Sequence, residues 1–284
     1  MAKFIQYSTI ASQYDGPFDS VVGWKGAGMG GLFVSGNKKL IAIDGGWEND
    51  AENYLELLKQ HSDGEKPVVD LWIITHSHPD HMGVLREIVK HPETVKKLEI
   101  KKIMYWFPIE FRGGILEKLS VEMEAIAAVF GAETEQPYRD QIITIDDLEI
   151  QFLFVPDDCS FINKAGGNDN HCSLIFSVRG PSRRAIITGD AYPPAMQITA
   201  WRYHHELKSD IIQLPHHALC DAFCDDFYRY ISPDVVFMPT SIAGYRTMHS
   251  DMYRNTPGYT VNLVLEAKAK KVYKAFEGTA EEEI

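Results

Sequence analysis

The chain has 284 residues, 45% of them hydrophobic and 24% charged, an ordinary globular balance that excludes wholesale disorder. Its 28 Lys and Arg against 40 Asp and Glu leave a net charge of −12, which argues against an extended nucleic-acid surface and for a small-molecule substrate. Apolar runs such as Leu71–Ile74 are strand-sized, too short for a membrane span. The N-terminus shows no leader pattern, and four cysteines make no disulfide scaffold, so the expectation is a cytoplasmic protein with reduced thiols.

In chain order, residues 3–9 alternate like an edge strand, and a Gly-rich stretch at 26–31 leads into strands at 31–35 and 40–44 joined by Gly36-Asn37. The spacing of Ala51, Tyr54, Leu55 and Leu58 predicts a helix over 50–61. A buried strand at 68–75 and a helix at 82–91 follow. Leu116, Leu119, Met123, Ile126, Ala127 and Phe130 form a stripe that predicts a helix over 115–130, stopped by Gly131. Strands are expected near 141–155, 171–178, 184–189, 210–214, 234–239 and 271–276. Helices at 195–206, 221–230 and 259–268 separate the later ones. Residues 1–278 read as one domain, with 279–284 as a loose acidic tail.

Directly after the strand 68–75 stands Thr75-His76-Ser77-His78-Pro79-Asp80-His81-Met82-Gly83. By composition, H-x-H-x-D-H occurs in roughly one such chain in a thousand. Imidazoles two residues apart on an extended segment point the same way and can share one divalent cation. Asp80 and His81, one turn later, can reach a second cation beside the first. One loop cannot complete two coordination spheres, and three later strand ends offer further donors: His171 in Asn168–Ser173, Asp190 in Thr188-Gly189-Asp190, and His216-His217 after Pro215. Side chains of His216 and His217 diverge, so one binds metal and the other faces substrate, and the spacing does not choose between them. His204-His205 reads as a solvated helix face, and Cys220 with Cys224 as too few thiolates for a metal site.

These residues resemble the metallo-β-lactamase superfamily, through His76, His78, Asp80 and His81, Gly189-Asp190, and Asp44-Gly45-Gly46 closing an early strand. The order of the later motifs is most similar to the hydrolase domain of competence DNA-uptake proteins and their soluble relatives. The resemblance implies an α/β fold, an αββα four-layer sandwich. It implies two divalent metal ions, for which nitrogen and oxygen donors suit zinc best and admit manganese or iron. Carried over, His76, His78 and His171 bind the first metal, Asp80, His81 and His216 the second, and Asp190 bridges them. Asp44 matches the buried aspartate that supports the ligand loop. Asp80, His217 and His249 are the candidates for catalytic roles, His249 as a donor to the developing oxyanion or the leaving group. Relatives continue Pro-His-His with Gly-Ser, whereas this chain has Ala218-Leu219. The implied activity is a metal-dependent hydrolase acting on a small phosphodiester, with an ester, lactone or thioester as the alternative. A di-iron redox or sensor protein on the same ligands is the rival class.

Overall fold

The computed structural model describes residues 1–16, 28–107, 109–112, 115–156, 169–219, 223–251, 254 and 256–284. Gly26, Ala27, Asn168 and Cys220 lie outside these residues. Among the described residues the strands are Lys3–Gln6 (β1), Gly30–Val34 (β2), Leu40–Asp44 (β3), Val68–Ile74 (β4), Glu99–Ile100 (β5), Lys102–Tyr105 (β6), Ile109–Arg112 (β7), Ile115–Lys118 (β8), Glu133–Glu135 (β9), Ile142–Ile145 (β10), Leu148–Phe154 (β11), Ile175–Arg179 (β12), Arg184–Ile187 (β13), Ile211–Gln213 (β14), Val235–Met238 (β15), Lys271–Lys274 (β16) and Ala280–Glu283 (β17). The helices are Ala51–His61 (α1), Pro79–Lys90 (α2), Pro92–Val95 (α3), Leu119–Phe130 (α4), Pro193–Tyr203 (α5), Asp225–Ile231 (α6), Ile242–Met248 (α7) and Pro257–Lys268 (α8).

Two sheets account for nearly all of these strands. One runs β17-β1-β2-β3-β4-β6-β9 with β5 beside β4, the other β10-β11-β12-β13-β14-β15-β16. The period-2 alternation of the central strands sorts their side chains into three apolar layers. From β4, Leu71 and Ile73 enter a core shared with Phe152, Phe176, Ile187 and Phe237 of the second sheet. Trp72 and Ile74 face the other way, into a core with Tyr54 of α1, Leu85 of α2 and Met123 of α4. On the far side, Ile186, Ile212 and Val236 pack with Met196 of α5, Phe227 of α6 and Leu265 of α8. Helix, sheet, sheet, helix is therefore the layer order, as the sequence resemblance implies.

Several elements depart from the sequence reading. Residues 115–118 are not the start of a helix: they pair antiparallel with β7, and the helix begins at Leu119. The apolar stripe misleads here because Leu116, in the hairpin, happens to keep helical spacing with Leu119 and Met123. The acidic tail is not loose either. Residues Ala280–Glu283 form β17 against β1, with Lys3 on Glu281 at 2.7 Å and Arg183 and Lys271 on Glu282 at 2.8 and 2.5 Å, so cations from other parts of the chain pair with two of its three glutamates. Helix α2 starts at Pro79, not residue 82, with proline at the position where a missing N–H costs nothing. That shift places Asp80 and His81 in its first turn.

Gly83 of α2 lets the helix meet the loop after β3 at backbone contact. A Cβ there would lie 2.5 Å from Glu48 N and from Trp47 C. Neither neighbour is a flexible side-chain end, so Gly83→Ala must push the helix outward. We expect it to cost about 1–3 kcal/mol in urea unfolding, and to weaken cation binding because the helix carries Asp80 and His81. An unchanged urea midpoint would show that the contact yields freely.

Candidate metal centre

The site forms where β3, β4, β13 and β14 end side by side. β4 delivers Thr75 and the loop with His76 and His78, and the first turn of α2 delivers Asp80 and His81. The end of β13 delivers Gly189-Asp190, and the turn after β14 delivers His216 and His217. Gly189 adopts φ +51°, and a Cβ on it would stand 2.7 Å from Thr75 Cβ and Oγ1, so glycine allows the two strand ends to touch. Leu174 N–H donates to Thr75 O at 3.0 Å and Asp190 N–H to Ser173 Oγ at 3.1 Å, fixing the second sheet's contribution.

Two donor clusters result, and Asp190 belongs to both. Asp80, His81, Asp190 and His217 each offer an atom within 4.8 Å of the others, and so do His76, His78 and Asp190. His76, His81, Asp190 and His217 are buried. His217 Nε2 lies 3.0 Å from Asp80 Oδ2 and 3.3 Å from Asp190 Oδ2, and His81 Nε2 lies 3.3 Å from Asp190 Oδ1. Yet Nε2 of His76, His81 and His217 and Oδ1 of Asp190 make no hydrogen bond of proper geometry. Imidazole nitrogens and carboxylate oxygens buried this close together are what a cation site looks like from the protein side. The residues fit a pair of divalent cations.

The opposite ring nitrogens explain the aim. His217 Nδ1–H donates to Pro239 O at 3.1 Å, and His81 Nδ1–H to Asp44 Oδ2 at 2.8 Å. His76 Nδ1 meets Thr75 Oγ1 at 3.2 Å, whose own O–H donates to Asp44 Oδ2 at 2.8 Å. Thr75 N–H donates to Asp44 Oδ1 at 2.8 Å. Asp44 thus orients two imidazoles, one directly and one through Thr75, and leaves their Nε2 atoms facing inward.

Electrostatics follow from three carboxylates in a dry site. Burial alone pushes the His217 imidazole down, but Asp190 and Asp80 outweigh it and lift it to about 10. Burial likewise opposes protonation of His81, and Asp190, Asp44 and Asp80 hold it well above the ordinary histidine value. Burial and the neighbouring His81 push His76 well below that value. Without cations, protons on His81 and His217 therefore carry the balancing charge at neutral pH. Loading must displace them: we expect about two protons released per chain at pH 7.5, and affinity that rises with pH until His217 deprotonates near 10. Calorimetric zinc titration in buffers of different ionisation enthalpy measures this, and a proton count near zero would contradict it.

His216, His171 and His249 stand outside both clusters. Residues 216–218 form a tight turn with φ of 46°, 53° and 61°, three successive non-glycine residues in the left-handed region, each costing about 1 kcal/mol or more. This backbone splays the two imidazoles. His217 turns to Asp80 and Asp190, while His216 packs on Tyr192 with ring centroids 5.1 Å apart. The sequence expectation places His216 at the second cation; in the structure His217 is the histidine of this pair that clusters with Asp80, His81 and Asp190. His171 lies on the short 3₁₀ turn Asp169–Cys172, off the end of β12, which begins only at Ile175; its ring also meets Tyr192, with centroids 4.8 Å apart. His249 caps α7, with Nδ1–H donating to Tyr245 O at 2.8 Å and Nε2 3.2 Å from Glu266 Oε1. Both its nitrogens are engaged there. His204 and His205 flank Tyr230, exposed and apart from the clusters.

The sequence profile described as the metallo-beta-lactamase superfamily matches residues 31–220. ComE operon protein 3 of Bacillus subtilis (strain 168) is 24% identical over 207 residues, 68% of this chain, and the match covers only 24% of that protein's length. Among solved structures, the metallo-beta-lactamase fold protein YhfI from Bacillus subtilis is similar with a TM-score of 0.55 and 11% identity, covering 99% of this chain and 100% of its own. Tm1679, described as a metal-dependent hydrolase of the beta-lactamase superfamily, gives 0.51 at 12% identity, covering 99% of each chain. CmlA, a diiron beta-hydroxylase from Streptomyces venezuelae, gives 0.53 at 11% identity over 99% of this chain and 54% of its own. These structural likenesses speak to the fold. Among the described residues no helix is long and apolar enough to cross a membrane.

Proposed function

The chain belongs to the metallo-β-lactamase superfamily, and from that premise we propose that it is a dinuclear metal-dependent hydrolase of a small phosphodiester. The observation that carries the reading is Asp190, one buried carboxylate shared by an Asp80–His81–His217 cluster and a His76–His78 cluster. Two zinc ions, or manganese, held there would supply a hydroxide at neutral pH and Lewis-acid stabilisation of the developing negative charge. The protein's part is to hold six side chains in place. Asp190 spans the clusters, Asp80 brings a second carboxylate, and the Nδ1–H groups of His81 and His217, committed to Asp44 and Pro239, leave Nε2 as the nitrogen that would face a cation once its proton is displaced. The strand ends bury His76, His81, Asp190 and His217, while His78 and Asp80 stay partly exposed.

The leaning toward a phosphodiester rests on the motif order shared with the competence-type branch and on the 207-residue similarity to ComE operon protein 3. The net charge of −12 favours a small substrate over a long polyanion. Metal content of the purified protein, paired with bis(p-nitrophenyl) phosphate turnover with and without chelator, tests the proposal. The expected result is about two zinc or manganese ions per chain and turnover that chelation abolishes. Two ions with no phosphodiester turnover would move the substrate to an ester, lactone or thioester. Two irons would replace hydrolysis with redox chemistry, and a chain that binds no metal would overturn the reading.

A further inference from the structure

The turn that carries His217 is held in place from a distant part of the chain. Its three residues, His216, His217 and Ala218, all take left-handed backbone angles, and none of them is glycine. Such a run does not persist unless its surroundings over-determine it. Its inner end is tied to the sheet by His216 N–H on Gly189 O at 3.1 Å, and the His217 ring by its bond to Pro239 O. The outer end is Ala218, the residue with the largest positive φ in the run at 61° and no polar side chain of its own to stabilise that conformation. Its carbonyl accepts a 2.8 Å hydrogen bond from Asn262 Nδ2. Asn262 sits in the middle of α8, is 7% exposed, and comes from a helix that, among the described residues, contributes nothing to either donor cluster.

We propose that Asn262 is a positioning residue for the Asp80–His81–Asp190–His217 cation position, acting through the left-handed turn at 216–218. Two bonds within the turn, Ala218 N–H on Pro215 O at 2.9 Å and Leu219 N–H on His216 O at 2.8 Å, close it locally, and donation to Ala218 O adds the tie that fixes the peptide after the left-handed alanine. Relaxation of Ala218 toward ordinary angles rotates the preceding peptide and swings the His217 ring away from Asp80 and Asp190. The other cluster, His76, His78 and Asp190, does not pass through this turn. Asn262 therefore governs one cation position and not the other. The inference rests on the reading of the site as a two-cation centre, and it concerns occupancy, so it does not depend on which substrate is hydrolysed.

The test is zinc content after gel filtration, with affinity measured by competition against a chelating dye, on the full chain and its variants. Asn262→Ala removes the donor, and Asn262→Leu removes it while keeping the buried volume, so that a folding defect of the smaller side chain does not decide the outcome. Both variants are expected to keep one zinc firmly and to bind the second about 10-fold or more weakly. Adding Ala218→Gly, which takes left-handed angles without a Cβ penalty, is expected to restore the second zinc to within about twofold of the wild type. Unchanged zinc binding in both Asn262 variants would overturn the proposal. So would a loss that Ala218→Gly fails to restore, because that is the signature of a general packing role. A wild-type chain holding no zinc would instead overturn the reading of the site itself.

Discussion

Asp190→Asn is expected to lower phosphodiester turnover by about three orders of magnitude and to leave the purified protein with about one cation in place of two. Asparagine keeps the shape of aspartate but presents one oxygen where two are used, and it brings no charge. Asp190 is the only residue common to the two donor clusters among the described residues, with Oδ1 3.3 Å from His81 Nε2 and Oδ2 3.3 Å from His217 Nε2 and 3.8 Å from His76 Nε2. One cation position therefore loses its oxygen from Asp190 while the other can keep the one that remains. The same change alters the cation-free protein. Asp190 is the largest of the charges that lift His81 and His217 against the effect of burial, so both imidazoles titrate at lower pH in the variant. Fewer protons should then be released on zinc loading, which gives a second readout independent of turnover. Two retained cations with turnover within tenfold of the wild type would show that Asp190 does not bridge.

The sequence announces much of this site, and the reason is physical. Four of its six clustered side chains come from one hexapeptide, His76 to His81, whose spacing alone brings them together. The central strands were equally legible, because β4 and β15 are buried on both faces and leave uninterrupted apolar runs such as Leu71–Ile74 and Val235–Met238. What was not legible depends on backbone angles and on neighbours far away in the chain. Nothing in Pro215-His216-His217-Ala218 says that the turn will be left-handed, and that angle decides which imidazole faces Asp190. His171 looked like a strand-start ligand only if the strand began four residues earlier than it does. Glu281–Glu283 read as solvated tail because sequence does not show Lys3, Arg183 and Lys271 waiting beside it. Asn262, a single amide within a helix, carried no signal.

Asp44 separates stability from function in a way that two substitutions should resolve. Its carboxylate is fully buried and accepts from Thr75 N–H, Thr75 Oγ1–H and His81 Nδ1–H, each at 2.8 Å. Asp44→Ala strands all three donors in a dry core and puts a Cβ-bearing residue with no local hydrogen bond at φ +50°. We expect it to cost about 3–5 kcal/mol of unfolding free energy and to abolish cation binding with it. Asp44→Asn is different. Asparagine tolerates the left-handed angle better than other non-glycine residues, and its oxygen can still accept from Thr75 N–H, so the loss in urea unfolding should stay near 1–2 kcal/mol. Its amide, however, then faces His81 as a donor and forces the proton from Nδ1 to Nε2, the nitrogen that must offer a lone pair to the cation. The fold survives and the ligand is disabled, by the same tautomer logic that makes a catalytic histidine depend on its aspartate. Cation affinity at the Asp80–His81–Asp190–His217 position is therefore expected to fall about 100-fold or more in Asp44→Asn, out of proportion to its stability. Zinc content compared with the urea midpoint decides it. An asparagine variant that keeps both cations would mean that Asp44 holds Thr75 and the loop but does not set the His81 tautomer.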